Sequence, residues 1–227
     1  MFGFLDVPVS GAHHIVTWLA LLSQPLTGQL SIALAIVLFT AGIRLLLLPL
    51  SKAAVRGEKA RAALAPQIRK VRERYPDDAR RQYEEVTKLQ QETGTSMFVG
   101  CLPMLLQLPF FVVMYRLFSS TAVGGQPNSL LAGTLFGTPL GDHFHGPVFL
   151  GIAVLLTVVA WFSSRWQAKM LERSGSPDVP GGKLVRLMPY GTVLATAVVP
   201  LTAGLYLLTT TTWSVIERAV LRREQTG

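Results

Sequence analysis

Few residues in this sequence have types that could do chemistry, and the most informative are polar side chains inside apolar segments. Arg44 is the single charge in residues 30–50, an apolar stretch of 21 residues. As a helix this stretch is about 31 Å long, which matches the hydrocarbon core of a bilayer. A buried arginine costs about 2.5–3.5 kcal/mol there. Arg44 therefore either extends to the membrane surface or faces a water-filled cavity.

Other polar side chains in apolar segments could line the same cavity. The candidates are Gln107, Thr192 and Thr196, and the threonine run 209–212. Thr192 and Thr196 are about one helical turn apart, so they share a helix face. A threonine hydroxyl can instead bond to a carbonyl of its own helix, so each threonine alone has two interpretations. With Arg44, these residues could line one water-filled cavity.

The sequence offers little for metal, redox or covalent chemistry. Cys101 is the single cysteine, which excludes an intramolecular disulfide and a thiolate zinc site. The histidines occur as two pairs, at 13–14 and 143–145, without a further ligand at metal-site spacing. The sequence contains no nucleophile elbow, phosphate-binding loop or dinucleotide fingerprint. We therefore predict no metal, no cofactor and no enzymatic activity.

The elements that position these residues follow from composition. Half of the 227 residues are hydrophobic and 15% are charged, against about 25% charged in soluble domains. The net charge is +8. Four to six membrane crossings of about 20 residues each would fit the length. The composition predicts a polytopic membrane protein.

Basic residues are absent from some of the predicted connections and concentrated in the ones that alternate with them. Residues 1–29 and 119–146 contain none, whereas 51–96 contain eleven, 165–186 five and 217–227 three. Cytoplasmic loops carry such an excess, which predicts an N-terminus outside and a C-terminus inside. Residues 187–216 must then cross twice, and Pro200 and Gly204 supply the break.

The predicted fold class is therefore an all-α polytopic membrane protein with five transmembrane helices, N-out and C-in. A cytoplasmic helical hairpin separates spans one and two. The predicted segments are 1–28 (outer interfacial amphipathic segment), 29–50 (span 1), 51–96 (cytoplasmic helical hairpin), 97–118 (span 2), 119–146 (outer loop), 147–166 (span 3), 167–186 (cytoplasmic loop), 187–200 (span 4), 202–218 (span 5) and 219–227 (basic cytoplasmic tail).

The N-terminal segment lacks the positive region of a signal peptide. Residues 9–23 predict a short amphipathic helix along the outer interface, with Trp18 among its anchors. The alternative is an additional span that starts near Ile15. Such a span would disturb the alternation of positive charge described above.

The 51–96 segment has high helix propensity, and Tyr75 and Pro76 followed by two aspartates predict a turn between antiparallel helices. Apolar residues at helical spacing predict a thin seam between the helices. The seam residues are Ala60, Leu64, Ile68 and Val71 on the first helix, and Tyr83, Val86 and Leu89 on the second, with Gln90 as a further candidate. With eleven basic and seven acidic residues, the hairpin could contact anionic lipid, a ribosome or a targeting factor. A solvated loop that only obeys the positive-inside rule is the alternative.

Together these segments resemble the YidC family of membrane protein insertases. Residues 43–51 resemble its first core span, in which an arginine precedes a leucine-rich segment that ends in proline. The most specific match is the Gly-Cys-Leu-Pro stretch at 100–103 with its second proline downstream. The matching motif residues are Gly100, Cys101, Pro103, Pro109, Pro200 and Gly204, with Pro66, Tyr75 and Pro76 in the hairpin.

The resemblance implies five spans around a hydrophilic groove that is open to the cytoplasm and to lipid and closed to the outside. It implies that Arg44 receives the polar or acidic part of a short membrane protein, whose apolar segment then enters the lipid. Thr209 and Trp213 lie where the family has an aromatic residue and an asparagine, and we assign both to the groove wall. The absence of a large outer domain before the first span resembles the compact Gram-positive form.

The resemblance also implies a multi-pass protein of the bacterial plasma membrane. Its expected partners are nascent or completed small membrane proteins and the lipid bilayer. The ribosome, the signal recognition machinery and the Sec translocon are further expected partners, without recognition of a specific nucleic acid sequence. Two other function classes stay open: a chaperone or assembly factor that acts with the Sec channel, and a solute channel or transporter, for which the sequence lacks the usual inverted repeat.

Overall fold

The computed structural model describes residues 6–93, 102–143, 146–173 and 187–223, without the side chains of 58, 61, 62, 102–107, 170–173, 222 and 223. Helices make up most of these ranges. They are α1 (Asp6–Thr27), α2 (Ser31–Leu46), α3 (Leu48–Arg74), α4 (Ala79–Glu92), α5 (Leu102–Ser119), α6 (Gly146–Arg173), α7 (Gly191–Ala195) and α8 (Leu201–Arg223), with 3-10 turns at Gly28–Leu30, Ser129–Ala132 and Met188–Tyr190.

The connection between α5 and α6 contains two small antiparallel hairpins. Strand β1 (Ala122–Val123) pairs with β2 (Gln126–Pro127), and β3 (Thr134–Leu135) pairs with β4 (Thr138–Pro139). In the first turn Gly124 and Gly125 adopt positive φ, which glycine does without a steric penalty, whereas the second turn combines Phe136 at φ 50° with Gly137 at φ 80°. Leu130 and Leu140 from this connection are buried in the core.

Helix α1 packs on α2 through one face. Its buried residues recur every three or four positions, as expected for a helix with one inward stripe, and they are Val9, Ala12, Val16, Ala20 and Ser23. Both ends of α1 lie near the α5–α6 connection. Asp6 Oδ1 is 3.4 Å from Arg116 Nη1 at the end of α5, and the turn after α1 contacts β3.

Helices α2 and α3 meet at Leu47. Pro49 lies in the first turn of α3, where its missing N–H has no intrahelical partner to lose. The predicted limit between span 1 and the hairpin, at residues 50 and 51, falls inside α3, which is continuous to Arg74. The difference has a simple cause: Pro49 begins a helix here and does not end one.

Helices α3 and α4 form a hairpin with the predicted turn at 75–78. Asp78 caps α4, since its carboxylate accepts a hydrogen bond of 3.0 Å from the N–H of Arg81. Leu64 is buried, and Ala60, Ile68, Val71, Val86 and Leu89 are half-buried, as the seam requires. The assignment of Tyr83 to the seam was wrong, because its side chain is 62% exposed. Gln82 takes the inward position and donates to the carbonyl of Tyr75.

Two helical stretches in the described residues are long and apolar enough to cross a membrane. They are Asp6–Leu46, which includes the turn at Gly28, and Gly146–Lys169. A shorter apolar helix covers Leu108–Ser119. The core lies between α1, α2, α5, α6 and α8, and its largest fully buried side chains include Ile36, Leu117, Phe118, Leu156 and Leu201.

Residues 196–200 reverse the chain between α7 and α8. Pro200 is buried at this reversal. The N–H groups of Leu201 and Thr202 then donate to the carbonyls of Asp142 and Leu140, at 2.9 and 3.0 Å. The first turn of α8 is thereby attached to the α5–α6 connection, which satisfies N–H groups that a helix start leaves unpaired.

Candidate functional site

Arg44 projects from the last turn of α2 towards α8. Its Nε donates a hydrogen bond of 2.8 Å to the hydroxyl of Thr210, and Nη2 contacts the same oxygen. Thr210 is buried, and Arg44 is half-buried. A guanidinium is always charged in proteins, so a cation is held between the two helices by a neutral acceptor.

A cavity of about 340 Å³ lies beside Arg44. Its wall combines the end of α2, the second half of α6, the turn before α7 and the middle and end of α8. The polar lining residues are Arg44, Ser163, Gln167, Thr192, Thr210, Thr211, Ser214 and Arg218. The apolar lining residues are Val159, Ala160, Trp166, Met188, Pro189 and Val215. We call this space the Arg44 cavity.

Three hydroxyls of the cavity wall donate their hydrogens within their own helices or turns. Thr192 donates to the carbonyl of Pro189 at 2.8 Å, Thr211 to that of Leu207 at 2.6 Å, and Ser214 to that of Thr210 at 2.8 Å. The oxygen lone pairs of these hydroxyls stay available to the cavity. The wall therefore offers acceptors and cations next to apolar surface, which suits an amphipathic guest.

A second, much smaller cavity of about 10 Å³ also borders Arg44. Thr40, Phe110 and Tyr206 are among its lining residues, together with Thr210. A space of this size holds about one water molecule. Arg44 and Thr210 thus border both the large cavity and a small one between α2, α5 and α8.

Residues 22–226 match the family model described as 60Kd inner membrane protein. Curated relatives with significant similarity carry the name membrane protein insertase YidC. The chain belongs to the YidC family.

Three of these relatives illustrate the extent of the similarity. The Streptomyces avermitilis protein is 33% identical over 159 residues, which cover 63% of this chain and 36% of the relative. The Zymomonas mobilis protein is 30% identical over 187 residues, covering 76% and 30%. The Chlamydia caviae protein is 33% identical over 167 residues, covering 67% and 20%. The alignments therefore span between a fifth and about a third of the length of these relatives.

The family membership and the helical structure together identify the general class of this protein. This YidC-family chain is a mostly helical membrane protein, and its homologues are inner membrane proteins of bacteria. The family is one of insertases and not of catalytic enzymes. Among the side chains that the structure describes, no cluster of three or more His, Cys, Asp or Glu residues could hold a metal ion.

Two of the groove residues predicted from this YidC-family sequence, Arg44 and Thr192, line the same cavity. Thr196 and Thr209 bond to carbonyls of their own helical segments, at 2.6 and 2.8 Å, and neither is among the residues that line the Arg44 cavity. Trp213 also lies off this wall. The side chain of Gln107 lies outside the described residues.

The YidC-family motif residues lie in several places. Pro109 is inside α5, Pro200 is buried at the chain reversal, and Gly204 is buried in α8 with Ile152 close by. Pro66 is exposed inside α3, and Tyr75 and Pro76 form the hairpin turn. Gly100, Cys101 and the side chain of Pro103 lie outside the described residues.

Sequence reasoning missed several members of the cavity wall of this YidC-family protein. They are Ser163, Gln167, Ser214 and Arg218, and also Thr210, which was named only as part of a run. Arg218 was counted as one of the positive charges after the last span. A signal was present, because Thr210, Ser214 and Arg218 recur every four residues and so share a helix face.

The polar environment of Arg44 includes a further, acidic group. Glu217 and Arg218 both lie within electrostatic range of Arg44. Glu217 does not line the Arg44 cavity. One of its carboxylate oxygens is buried and has no hydrogen-bond partner among the described residues. The same holds for the indole N–H of Trp213, one turn earlier in α8. These two orphaned groups lie next to the helix face that holds Arg44.

Proposed function

We propose that this chain is a membrane protein insertase. It accepts the hydrophilic part of a short membrane protein into the Arg44 cavity and releases the apolar segment into the bilayer. The observation that carries the proposal is the guanidinium of Arg44, held at 2.8 Å from Thr210 on the wall of a 340 Å³ cavity. The family membership supports the same activity.

The physical argument starts from the cost of moving polar groups through hydrocarbon. Each unpaired polar group costs several kcal/mol there. A solvated cavity shortens the path over which a hydrophilic segment meets hydrocarbon. Arg44 adds a favourable interaction with an acidic group at the inner end of that path. Burial of the apolar segment in lipid then supplies the driving free energy.

The proposed topology has five spans, with the N-terminus outside and the C-terminus in the cytoplasm. The spans are α2, α5, α6, the segment that contains α7, and α8. The cavity-lining parts of α2, α6 and α8 are their later halves, near the basic hairpin and the basic end of α8. The opposite helix ends are joined through the α5–α6 connection. This arrangement supports a cavity open to the cytoplasmic side and closed to the outside.

In this topology α1 lies along the outer side. Asp6, Ser10 and His13 all face the α5–α6 connection: Asp6 through Arg116, Ser10 beside Gly124, and His13 Nε2 at 3.4 Å from the hydroxyl of Ser129. These contacts lie near the start of α1, and the turn after α1 contacts β3. Both ends of α1 are thus on the outer side, which supports an interfacial position. Exposed apolar residues such as Trp18 and Leu22 would face lipid.

The proposed partners are small membrane proteins and the lipid of a bacterial plasma membrane. The α3–α4 hairpin is the proposed contact for a ribosome, the signal recognition machinery or the Sec translocon, because it is basic and exposed. An assembly factor that holds helices after insertion is the alternative. Crosslinking of a client only after its insertion would favour that alternative.

The test is rescue of an insertase-depleted bacterium by the wild type, Arg44→Ala and Arg44→Lys, with insertion of a short client scored by protease accessibility. We expect the wild type and Arg44→Lys to restore growth and insertion, and Arg44→Ala to fail. Arg116→Ala is the matched control, since Arg116 lies at the other end of the bundle and should be dispensable. Rescue by Arg44→Ala would show that Arg44 only extends to the membrane surface.

The topology has its own test. In a Cys101→Ser background, single cysteines at Ser129 and Gln91 would be labelled in intact cells by a membrane-impermeant maleimide. We expect labelling at residue 129 in intact cells and at residue 91 only after the membrane is broken. The reverse pattern would contradict the proposed orientation.

A further inference from the structure

We infer that Arg218 is a second binding residue for acidic groups, at the cytoplasmic entrance of the Arg44 cavity. This inference rests on the proposed insertase function and adds a preference to it. Clients with two acidic residues in the translocated segment would be favoured over clients with none.

The first step of the argument is position. Arg218 lines the Arg44 cavity on the same face of α8 as Thr210 and Ser214. It follows Thr210, the acceptor of Arg44, by eight residues, which is about 12 Å along a helix. Arg218 is exposed, whereas Arg44 is half-buried. The two cations are therefore arranged along the cavity, one near solvent and one deeper.

The second step is charge. No acidic side chain is among the residues that line the Arg44 cavity in the described part of the chain. Glu217 lies within electrostatic range of Arg44 but on a neighbouring face of α8. Its carboxylate partly opposes the charge of Arg44, and Arg218 adds a second positive charge to the cavity wall. In a region that water fills only partly, such charges are screened less than on an open surface.

The third step is chemistry. Guanidinium groups bind carboxylates through paired N–H donors, and lysine cannot reproduce that planar geometry. Arg218 forms no ion pair within the described residues, so its donors can meet an incoming carboxylate first. A segment with two acidic groups would then reach Arg44 while Arg218 still holds the second group.

The experiment uses the full chain in proteoliposomes and two versions of one short client. One version has two aspartates in the translocated segment, and the other has asparagines at the same positions. Initial insertion rates are measured for the wild type, Arg218→Gln and Arg218→Lys. Arg165→Gln is the control, because it removes the same charge from α6. Arg165 is not part of the cavity wall, and its Cζ lies 4.3 Å from the centre of the Trp161 ring.

We expect Arg218→Gln to slow the aspartate client about two- to fivefold, the range for a solvent-reachable charge pair. The asparagine client should keep its rate. Arg218→Lys should give an aspartate rate between those of the wild type and Arg218→Gln, because lysine keeps the charge but not the paired donors. Arg165→Gln should retain both rates. Equal slowing of both clients, or equal effects of Arg218→Gln and Arg165→Gln, would overturn the inference. If the wild type inserts neither client, the proposed function itself fails, and the two failures are therefore distinguishable.

Discussion

The hydroxyl of Thr202, in the first turn of α8, donates a hydrogen bond of 2.6 Å to the carbonyl of Phe118, near the end of α5. Both residues are fully buried. The bond joins α8 to α5, and the two bonded residues are 84 positions apart in sequence. It also satisfies one of the last carbonyls of α5, which have no intrahelical donor.

Replacement of Thr202 by valine should therefore destabilise the protein. Valine preserves the shape but leaves the Phe118 carbonyl unpaired, so the free energy of unfolding should fall by about 1–3 kcal/mol. Reversible unfolding in mixed micelles measures this change. Thr157→Val is the control, because the Thr157 hydroxyl is exposed and bonds only to Ala153 of its own helix. Equal losses for the two variants would show that the inter-helix bond has no special weight.

Thr210→Val should have a comparable effect for a different reason. The variant removes the acceptor that Arg44 uses, and hydrogen bonds to charged groups contribute about 1.5–3 kcal/mol. We expect a loss of that order in the same unfolding assay, together with slower client insertion. Thr209→Val should change little, because that hydroxyl bonds to Leu205 of its own helix. A larger loss for Thr209→Val than for Thr210→Val would show that Thr209, and not Thr210, faces Arg44.

Gly133 leaves no space for a side chain. A Cβ at this position would lie 2.7 Å from Cδ1 of Ile32 and 3.1 Å from Cδ1 of Leu140. Gly133→Ala should therefore lower the free energy of unfolding by about 1–3 kcal/mol, the range for overpacking. Gly151→Ala is the matched control in α6, where nothing lies within 4 Å of the added carbon. We expect that variant to be neutral or slightly stabilising, since alanine favours helix more than glycine does.

The ion pair of Asp6 with Arg116 should matter little. Its atoms are 3.4 Å apart and both side chains are partly exposed, at 59% and 38%. Asp6→Asn should cost at most about 0.5 kcal/mol, and the difference should shrink further in 1 M salt. A loss above about 1 kcal/mol that persists in salt would indicate that the pair is shielded from water.

The sequence allowed the prediction of elements whose physical cause is local. The turn at Tyr75, a helix cap at one of the two aspartates that follow it, and the polar character of Arg44 in an apolar segment all follow from residue types that act over a few positions. The cavity partner of Arg44 could not be predicted in the same way. Four consecutive threonines carry identical chemistry, and each step along a helix rotates the side chain by about 100°. Only the packing of α8 on α2 decides that Thr210 faces Arg44.

The same limitation applies to the cavity wall on α6. Ser163 and Gln167 lie close to residue 166, the predicted end of span 3. Two isolated polar residues near such an end are also consistent with an interface position. Their contribution to the cavity depends on the rotation of α6 about its axis, which tertiary contacts with α8 set.

The layer of fully buried side chains around Phe118, Leu130, Leu140 and Leu201 has an electrical consequence. A transmembrane voltage falls mainly across the poorly conducting part of its path. In the proposed orientation that part is this layer, on the outer side of the solvated cavity. A charged group beside Arg44 would therefore experience little of the voltage. Most of it, about 2.3 kcal/mol per charge per 100 mV, would act while that group crosses the buried layer.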